Sequence, residues 1–406
     1  MNTFKTTLAR IYQLGMYVGV SIMHFKEPKV IKGEDASLKI SSILKDRNIT
    51  DTLVVVDDGL FHVPFTSNII DALNKNGIKT CVFHNFKMNP TIANVEEGVK
   101  IYTENNLHSI IGLGGGSSMD TAKMIGARIK NPDKTVQQMK GLLHVHHKLP
   151  LLIAIPTTAG TGSETTVAAI ITDEKTSHKY PIEDPKLIPA YAVLDPKLLV
   201  KLPAHITSTT GMDALTHAIE AFTNRGRTMR TNRNALEAIK LIYENLYQSY
   251  LNPNDLTARN NMQLAAYKAG VAFTNAYVGY VHALAHALGG QYNVPHGLAN
   301  ALILPIVLKE YDKKAYKQVA KIYDYINMGD KHISKKEKFE KIISWIYELN
   351  KKMDVRFNFN ETIINEDIIT MVNHAYSEGY PLYPCPKMFN KEELTRLYQK
   401  IKEENK

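Results

Sequence analysis

"SIIGLGGGSSMDTAKMIGARI", residues 109–129, runs from a β-branched apolar stretch through three glycines into a segment of helical spacing. A strand that ends in Gly114, Gly115 and Gly116 and turns at Ser117 into a helix through Asp120 and Lys123 leaves backbone N–H groups free at the helix start. Glycines have no Cβ, so a pyrophosphate can approach that backbone, and the helix N-terminus adds a partial positive charge. The stretch reads as a nucleotide cradle, with a tight strand-to-helix turn as the plain alternative.

Similar short apolar runs flank it: "TLVVV" at 52–56, "KTCVF" at 79–83 and "LLIAIP" at 151–156, separated by helical segments. Strand, helix, strand in alternation predicts a parallel sheet covered on both faces. The first run ends in Asp57 and Asp58. A carboxylate at the carboxyl edge of a sheet accepts hydrogen bonds from an adenosine ribose and repels a 2′-phosphate, which favours NAD over NADP. In the common fingerprint that acid follows the glycines, whereas Asp57 precedes Gly114. The connectivity therefore differs, or the site is not a dinucleotide site. In "LLIAIPTTAGTGSETT", residues 151–166, a loop of small residues offers the hydroxyls of Thr157, Thr158, Thr161 and Ser163. Such a loop can bond phosphate, ribose or carboxamide without filling a cleft.

After "LVKLPAHIT" the pattern changes to long segments of helical period, such as "ALEAIKLIYENLYQSYL" at 235–251. A chain of 406 residues exceeds one ordinary core, and 44% hydrophobic residues can fill two. The expected division is an N-terminal extension over 1–27, an α/β domain over 28–204 and a helical domain over 205–406.

The helical half carries two polar clusters on apolar faces. In "STTGMDALTHAIEAFT", residues 208–223, Ser208 or Thr209 is the expected helix cap, and Asp213 and His217 lie four apart on one face. "GYVHALAHALGGQYNVPHG", residues 279–297, repeats that spacing in His282 and His286 and adds His296 after Pro295. A carboxylate on an apolar face is costly without a partner, and a metal cation also explains the histidines. By contrast, "HVHH" at 144–147 has no acid nearby and reads as a solvated loop.

The formal charge of +9 is scattered, and bases interleave with acids near the C-terminus, which argues for a solvated surface and against a nucleic-acid partner. Cys81 and Cys385 stand far apart without CxxC spacing, so neither a disulfide framework nor a thiolate metal site is expected, and a reducing cytoplasm fits. No apolar run reaches the ~18 to 20 residues that span a bilayer, so no stable membrane insertion is expected. "FKTTLARIYQLGMYVGVSIMHF", residues 4–25, has no acid and imitates a targeting segment. The expected structure is an amphipathic helix docked on the protein's own surface, dispensable for chemistry but an aid to stability or assembly.

Together, "GGGSSMDTAK", "IPTTAGTGSE", "TTGMDALTHAIEAF" and "VHALAHALGGQYNVPHGLANALILP" resemble the iron-containing, or group III, alcohol dehydrogenase family over nearly the whole chain after the extension. The resemblance implies a dehydroquinate-synthase-like architecture: a Rossmann-like N-terminal domain, an all-α metal-binding domain and an active site in the cleft between them. It implies Asp213, His217, His282 and His296 as metal ligands, with Fe2+ expected and Zn2+ the alternative. His286 is then the residue beside the nicotinamide and the proton path. For NAD it implies Asp57 at the adenosine ribose, Asn89 lining the cleft, and Gly115, Gly116, Ser117 and Asp120 at the pyrophosphate, with Thr157, Thr158, Thr161 and Lys179 along the phosphates and nicotinamide ribose. The expected reaction is hydride transfer between small primary alcohols and aldehydes, in a cytoplasmic homodimer. Rival readings are a glycerol-dehydrogenase-like or dehydroquinate-synthase-like enzyme and, in another class, a noncatalytic metal-binding scaffold. The Asn-Pro-Arg stretch that the family often carries is replaced here by "YPCPKMFNKEEL", residues 383–394, so the resemblance does not define the substrate-side lining.

Overall fold

A computed structural model describes residues 3–23, 25–86, 89–174, 178–356 and 363–404. The helix α1 (Thr3–Met23) precedes a six-stranded sheet. Its strands are β1 (Lys29–Lys32), β2 (Asp51–Val56), β3 (Lys79–Phe83), β4 (Ser109–Gly114), β6 (Leu151–Pro156) and β9 (Tyr191–Leu194), in the order β1-β9-β6-β4-β2-β3. Every pairing in it is parallel. β4 sits in the middle and is buried along its whole length, which is why its sequence is a continuous apolar run with no polar alternation. A smaller sheet joins β5 (Gly141–Leu142), β7 (Ala168–Asp173) and β8 (His178–Glu183) in the order β5-β8-β7. The helices α2 (Ile40–Lys45), α3 (Asp58–Phe61), α4 (Pro64–Lys75), α5 (Ile92–Glu104) and α6 (Gly116–Lys130) connect the strands.

That strand order answers the question raised by Asp57. The chain leaves β2 for the outer strand β3 and then crosses back to place β4 on the other side of β2. The carboxyl ends of β2 and β4 thus flank a topological switch point, where open α/β sheets bind ligands. The acid precedes the glycines in sequence because β3 is inserted between two strands that are neighbours in space.

From residue 203 onward the described chain has no strand. Its helices are α7 (Ala204–Thr223), α8 (Met229–Leu251), α9 (Leu256–Ala276), α10 (Tyr280–Tyr292), α11 (His296–Tyr311), α12 (Tyr316–Tyr325), α13 (Lys335–Lys352), α14 (Asn365–Gly379) and α15 (Lys391–Glu404). α7, α8 and α9 pack pairwise, and α10 packs on α11 and α14. The chain divides into two units: residues 26–202, and residues 203–406 together with 1–25. α7 begins at Ala204 after Pro203, four residues before the expected cap. Ser208 and Thr209 lie inside the helix and satisfy their hydroxyls by donating to the His205 carbonyl (3.1 and 2.7 Å), the alternative that such side chains have to capping. No described helix is long and apolar enough to cross a membrane.

Candidate functional site

In the α/β unit the register of three adjacent strands brings distant residues to one edge. Val56 pairs with Leu113 and Gly114 with Pro156, so Asp57 comes level with Gly114, and Gly115 and Thr157 follow one residue further along the same edge. Gly114 has φ +144°, and a Cβ there would collide with the Ser118 hydroxyl, so the turn requires glycine. Ser118 Oγ accepts from the Asp57 N–H (3.2 Å) and donates to Asp57 Oδ2 (3.1 Å), fixing the acid against the glycine turn. Asn89 N–H donates to Ser117 Oγ (3.3 Å), and so joins the same edge. A Cβ on Gly115 would touch Thr158, and one on Gly116 would touch Thr161, so the hydroxyl loop lies directly over the glycine loop.

Two predicted residues are placed differently from their neighbours. Both oxygens of Asp120 are committed inside the fold, Oδ1 to Ser163 Oγ (2.7 Å) and Oδ2 to the Ile170 N–H (3.0 Å). Lys179 lies on β8 of the smaller sheet, opposite Thr172. Beneath the hydroxyl loop the fully buried Lys123 ammonium donates to Ser163 Oγ (2.9 Å), Thr166 Oγ1 (2.9 Å) and the Ala168 carbonyl (2.7 Å). Burial lowers its pKa to about 8. His144, His146 and His147 of the "HVHH" loop are exposed.

In the helical unit, α7 supplies Asp213 and His217, α10 supplies His282, and α11 opens with His296. One ligand-type atom from each of the four lies within 4.8 Å of every other. Asp213, His217 and His282 are buried at 2%, 5% and 2% exposure, so these are not solvated surface groups. The His217 ring stacks between Phe273 (4.1 Å) and His282 (4.5 Å).

The helices also carry groups that the spacing analysis did not find. Glu220, three residues after His217, is 2% exposed and accepts from Gly279 N–H (2.8 Å), Val281 N–H (2.8 Å) and His282 Nδ1 (2.6 Å). That bond places the proton on Nδ1 and leaves the Nε2 lone pair of His282 facing Asp213. A Cβ at position 279 would come within 2.7 Å of Glu220 Oε1, so a glycine there lets the carboxylate in. Burial raises Glu220 against the Val281 and Gly279 N–H groups that stabilise its carboxylate, and burial holds His282 well below its ordinary value. Burial also lowers His296, to about 4, so its ring is a neutral donor of a lone pair at pH 7.

Asn300 reports where those lone pairs point. Its Nδ2 donates to Asp213 Oδ1 (2.7 Å) and lies 3.1 Å from both His282 Nε2 and His296 Nε2. Two amide hydrogens cannot serve three acceptors at once, whereas a divalent cation satisfies the whole set. Three imidazoles and one carboxylate suit Fe2+, Zn2+, Co2+ or Ni2+. The donor chemistry therefore fits a metal.

His286, one turn after His282, faces a different partner. Its Nδ1 pairs with Glu378 Oε1 (2.8 Å), which also accepts from the Tyr383 hydroxyl (2.7 Å). Its ring stacks on His296 at 5.1 Å. Burial acts to lower His286, but the adjacent Glu378 carboxylate prevails and raises it; Glu378, which burial acts to raise, is lowered in turn by His286.

Residues 27–196 match the iron-containing alcohol dehydrogenase family, and residues 207–402 match its C-terminal region. The chain is 35% identical to alcohol dehydrogenase 4 of Saccharomyces cerevisiae, covering 91% of this chain and 96% of that protein. It is 34% identical to the NAD-dependent methanol dehydrogenase of Bacillus methanolicus, covering 87% and 93%. The solved structure of an alcohol dehydrogenase from Oenococcus oeni superposes with a TM-score of 0.89 at 31% identity, covering 93% and 99%. The protein is thus an enzyme of the iron-containing alcohol dehydrogenase family.

Proposed function

We propose that this enzyme transfers a hydride between small primary alcohols and NAD, with Asp213, His217, His282 and His296 holding a divalent metal, Fe2+ before Zn2+. The observation that carries the reading is the convergence of those four donors, three of them buried, on one point. A cation held there supplies Lewis acidity toward the alcohol oxygen. NAD, when bound, takes up or returns the hydride.

The chain's own residues supply position and proton handling. Glu220 keeps His282 in the Nδ1–H tautomer, and Asn300 steadies the Asp213 carboxylate. His286, oriented through Nδ1 by Glu378, keeps Nε2 for the proton that leaves the hydroxyl. Asp57 receives the adenosine ribose; Asn89, Gly115, Gly116 and Ser117 offer the pyrophosphate edge, and Thr157, Thr158 and Thr161 face it from the hydroxyl loop. Asp120 acts from behind, by holding Ser163 of that loop. Lys179 belongs to the cofactor set on the family resemblance alone. The domain limits 28–204 and 205–406 lie within two residues of the division between the two structural units at 202 and 203. The reading includes a cytoplasmic homodimer, with Cys81 and Cys385 as free thiols.

The test is oxidation of a panel of primary alcohols by protein reconstituted with Fe2+ or Zn2+. NAD is expected to outperform NADP, and Asp57→Gly to narrow that gap by removing the carboxylate that repels a 2′-phosphate. No NAD reduction with any alcohol or either metal would refute the assignment.

A further inference from the structure

α1 contributes no group to the chemistry just described, yet it is tied to the segment that carries the neighbours of His286. Gln13, 8% exposed, donates through Nε2 to the carbonyls of Pro381 (2.7 Å) and Tyr383 (2.9 Å) and accepts at Oε1 from Arg10 Nη1 (2.8 Å). Arg10 Nη2 donates to the Cys385 carbonyl (2.8 Å). The partners leave no doubt about the amide's orientation, because carbonyls only accept and a guanidinium only donates.

Residues 381–385 belong to no helix or strand, so no ladder satisfies their carbonyls. The Tyr383 carbonyl takes the Cys385 N–H (2.9 Å) and the Pro384 carbonyl takes the Arg225 N–H (2.7 Å), while side chains of α1 meet the Pro381 and Cys385 carbonyls and add a second donor at Tyr383. The same segment carries Tyr383, whose hydroxyl meets Glu378 Oε1, the oxygen that also takes His286 Nδ1. This is the region where the chain departs from the Asn-Pro-Arg pattern of its family.

We propose that α1 is a strap that positions His286 from a distance. Gln13 and Arg10 hold the backbone of 381–385; that backbone sets the Tyr383 hydroxyl; Tyr383 and His286 share one oxygen of Glu378, and this fixes the angle of the imidazole and keeps its proton on Nδ1. Gln13, Arg10 and Tyr383 are positioning residues, and none touches the reacting atoms. The inference rests on the reading of His286 as the proton-handling group. The competing account is a helix that covers apolar surface and does nothing else. That account predicts a stability loss with no change at His286.

The experiment uses the full-length, metal-loaded enzyme and, in parallel, metal-free protein labelled with 15N-histidine. Gln13→Ala is expected to lower kcat about tenfold, with metal content and the KM for NAD unchanged. Glu378→Ala is expected to lower kcat at least as far, and the double variant no further than Glu378→Ala alone, since both substitutions break one path. In the labelled protein, Gln13→Ala is expected to move the His286 ring resonances, whereas Leu14→Ala, on the exposed face of α1, leaves them in place. If Gln13→Ala does not fold, Tyr383→Phe removes only the hydroxyl and is expected to give the same resonance change. Wild-type kcat in folded Gln13→Ala, effects that add in full, or unmoved His286 resonances would each overturn the strap. Full activity of His286→Ala would instead overturn the proton role, and the resonance change still decides the strap.

Discussion

The two candidate sites are made of different material. At the helical site the chemistry lies in side chains: four donors held by three helices, three of them at most 5% exposed, each oriented by a neighbour such as Glu220 or Asn300. At the α/β edge it lies largely in backbone, with the Gly115 and Gly116 N–H groups at the start of α6 and threonine hydroxyls laid over them. A side-chain site can be abolished by one substitution. A backbone site is shared among many N–H groups, and single side chains there tune it.

The contrast is sharpest at Glu220. Three N–H donors meet its carboxylate, and a glutamine offers only one acceptor atom, so Glu220→Gln leaves a donor facing an NH2. Metal affinity measured by chelator competition is expected to fall roughly 10- to 100-fold, as for other partners of metal-ligating histidines. An unchanged affinity would mean that the His282 tautomer is set elsewhere.

A smaller effect is expected beneath the α/β edge, where Lys123 supports the hydroxyl loop. Its folded pKa is lowered to about 8 by burial, below the ordinary 10.5, so the native chain releases this proton before the unfolded chain does. Between about 8 and 10.5 the unfolded state holds more protons at this site, and native stability gains with pH relative to Lys123→Met. Denaturant titrations of the two proteins across that window measure it. A stability difference that stays flat with pH would show that Lys123 is not buried as described.

The same contrast explains what could be read in the sequence. Asp213 with His217, and His282 with His286, announced themselves because polar residues on apolar helical faces require a reason, and a four-residue spacing puts a pair on one face; that His296 rather than His286 joins the metal set came from the family resemblance. The strands β2, β3, β4 and β6 were legible as short unbroken apolar runs, whereas β1, β5, β7, β8 and β9 were not read from the sequence. Glu220 shares a helix with Asp213 and His217, at a spacing that puts it near the same face, but its target is a turn 59 residues away. Its role depends on which helix meets α7, and no local pattern carries that. Asn300, four residues after His296, is hidden for the same reason. Ser208 and Thr209 looked like caps because hydroxyls before an apolar helix usually cap it, yet the helix extends back to Ala204. Asp120 sits in the glycine-loop motif, but helical geometry turns it inward to Ser163 and Ile170. The docking of α1 on the protein's own surface was expected from its amphipathic pattern, but its ties to 381–385 span some 370 residues of chain and carry no local signal.

The central claim is that Asp213, His217, His282 and His296 hold the metal and His286 does not. The most direct measurement is the metal-to-protein stoichiometry of the wild type, His282→Ala and His286→Ala after anaerobic reconstitution with Fe2+. The account predicts a metal content near one in the wild type and in His286→Ala, and near zero in His282→Ala, because removing a ligand opens the coordination shell whereas His286 lies outside it. Equal loss of metal in both variants would contradict it.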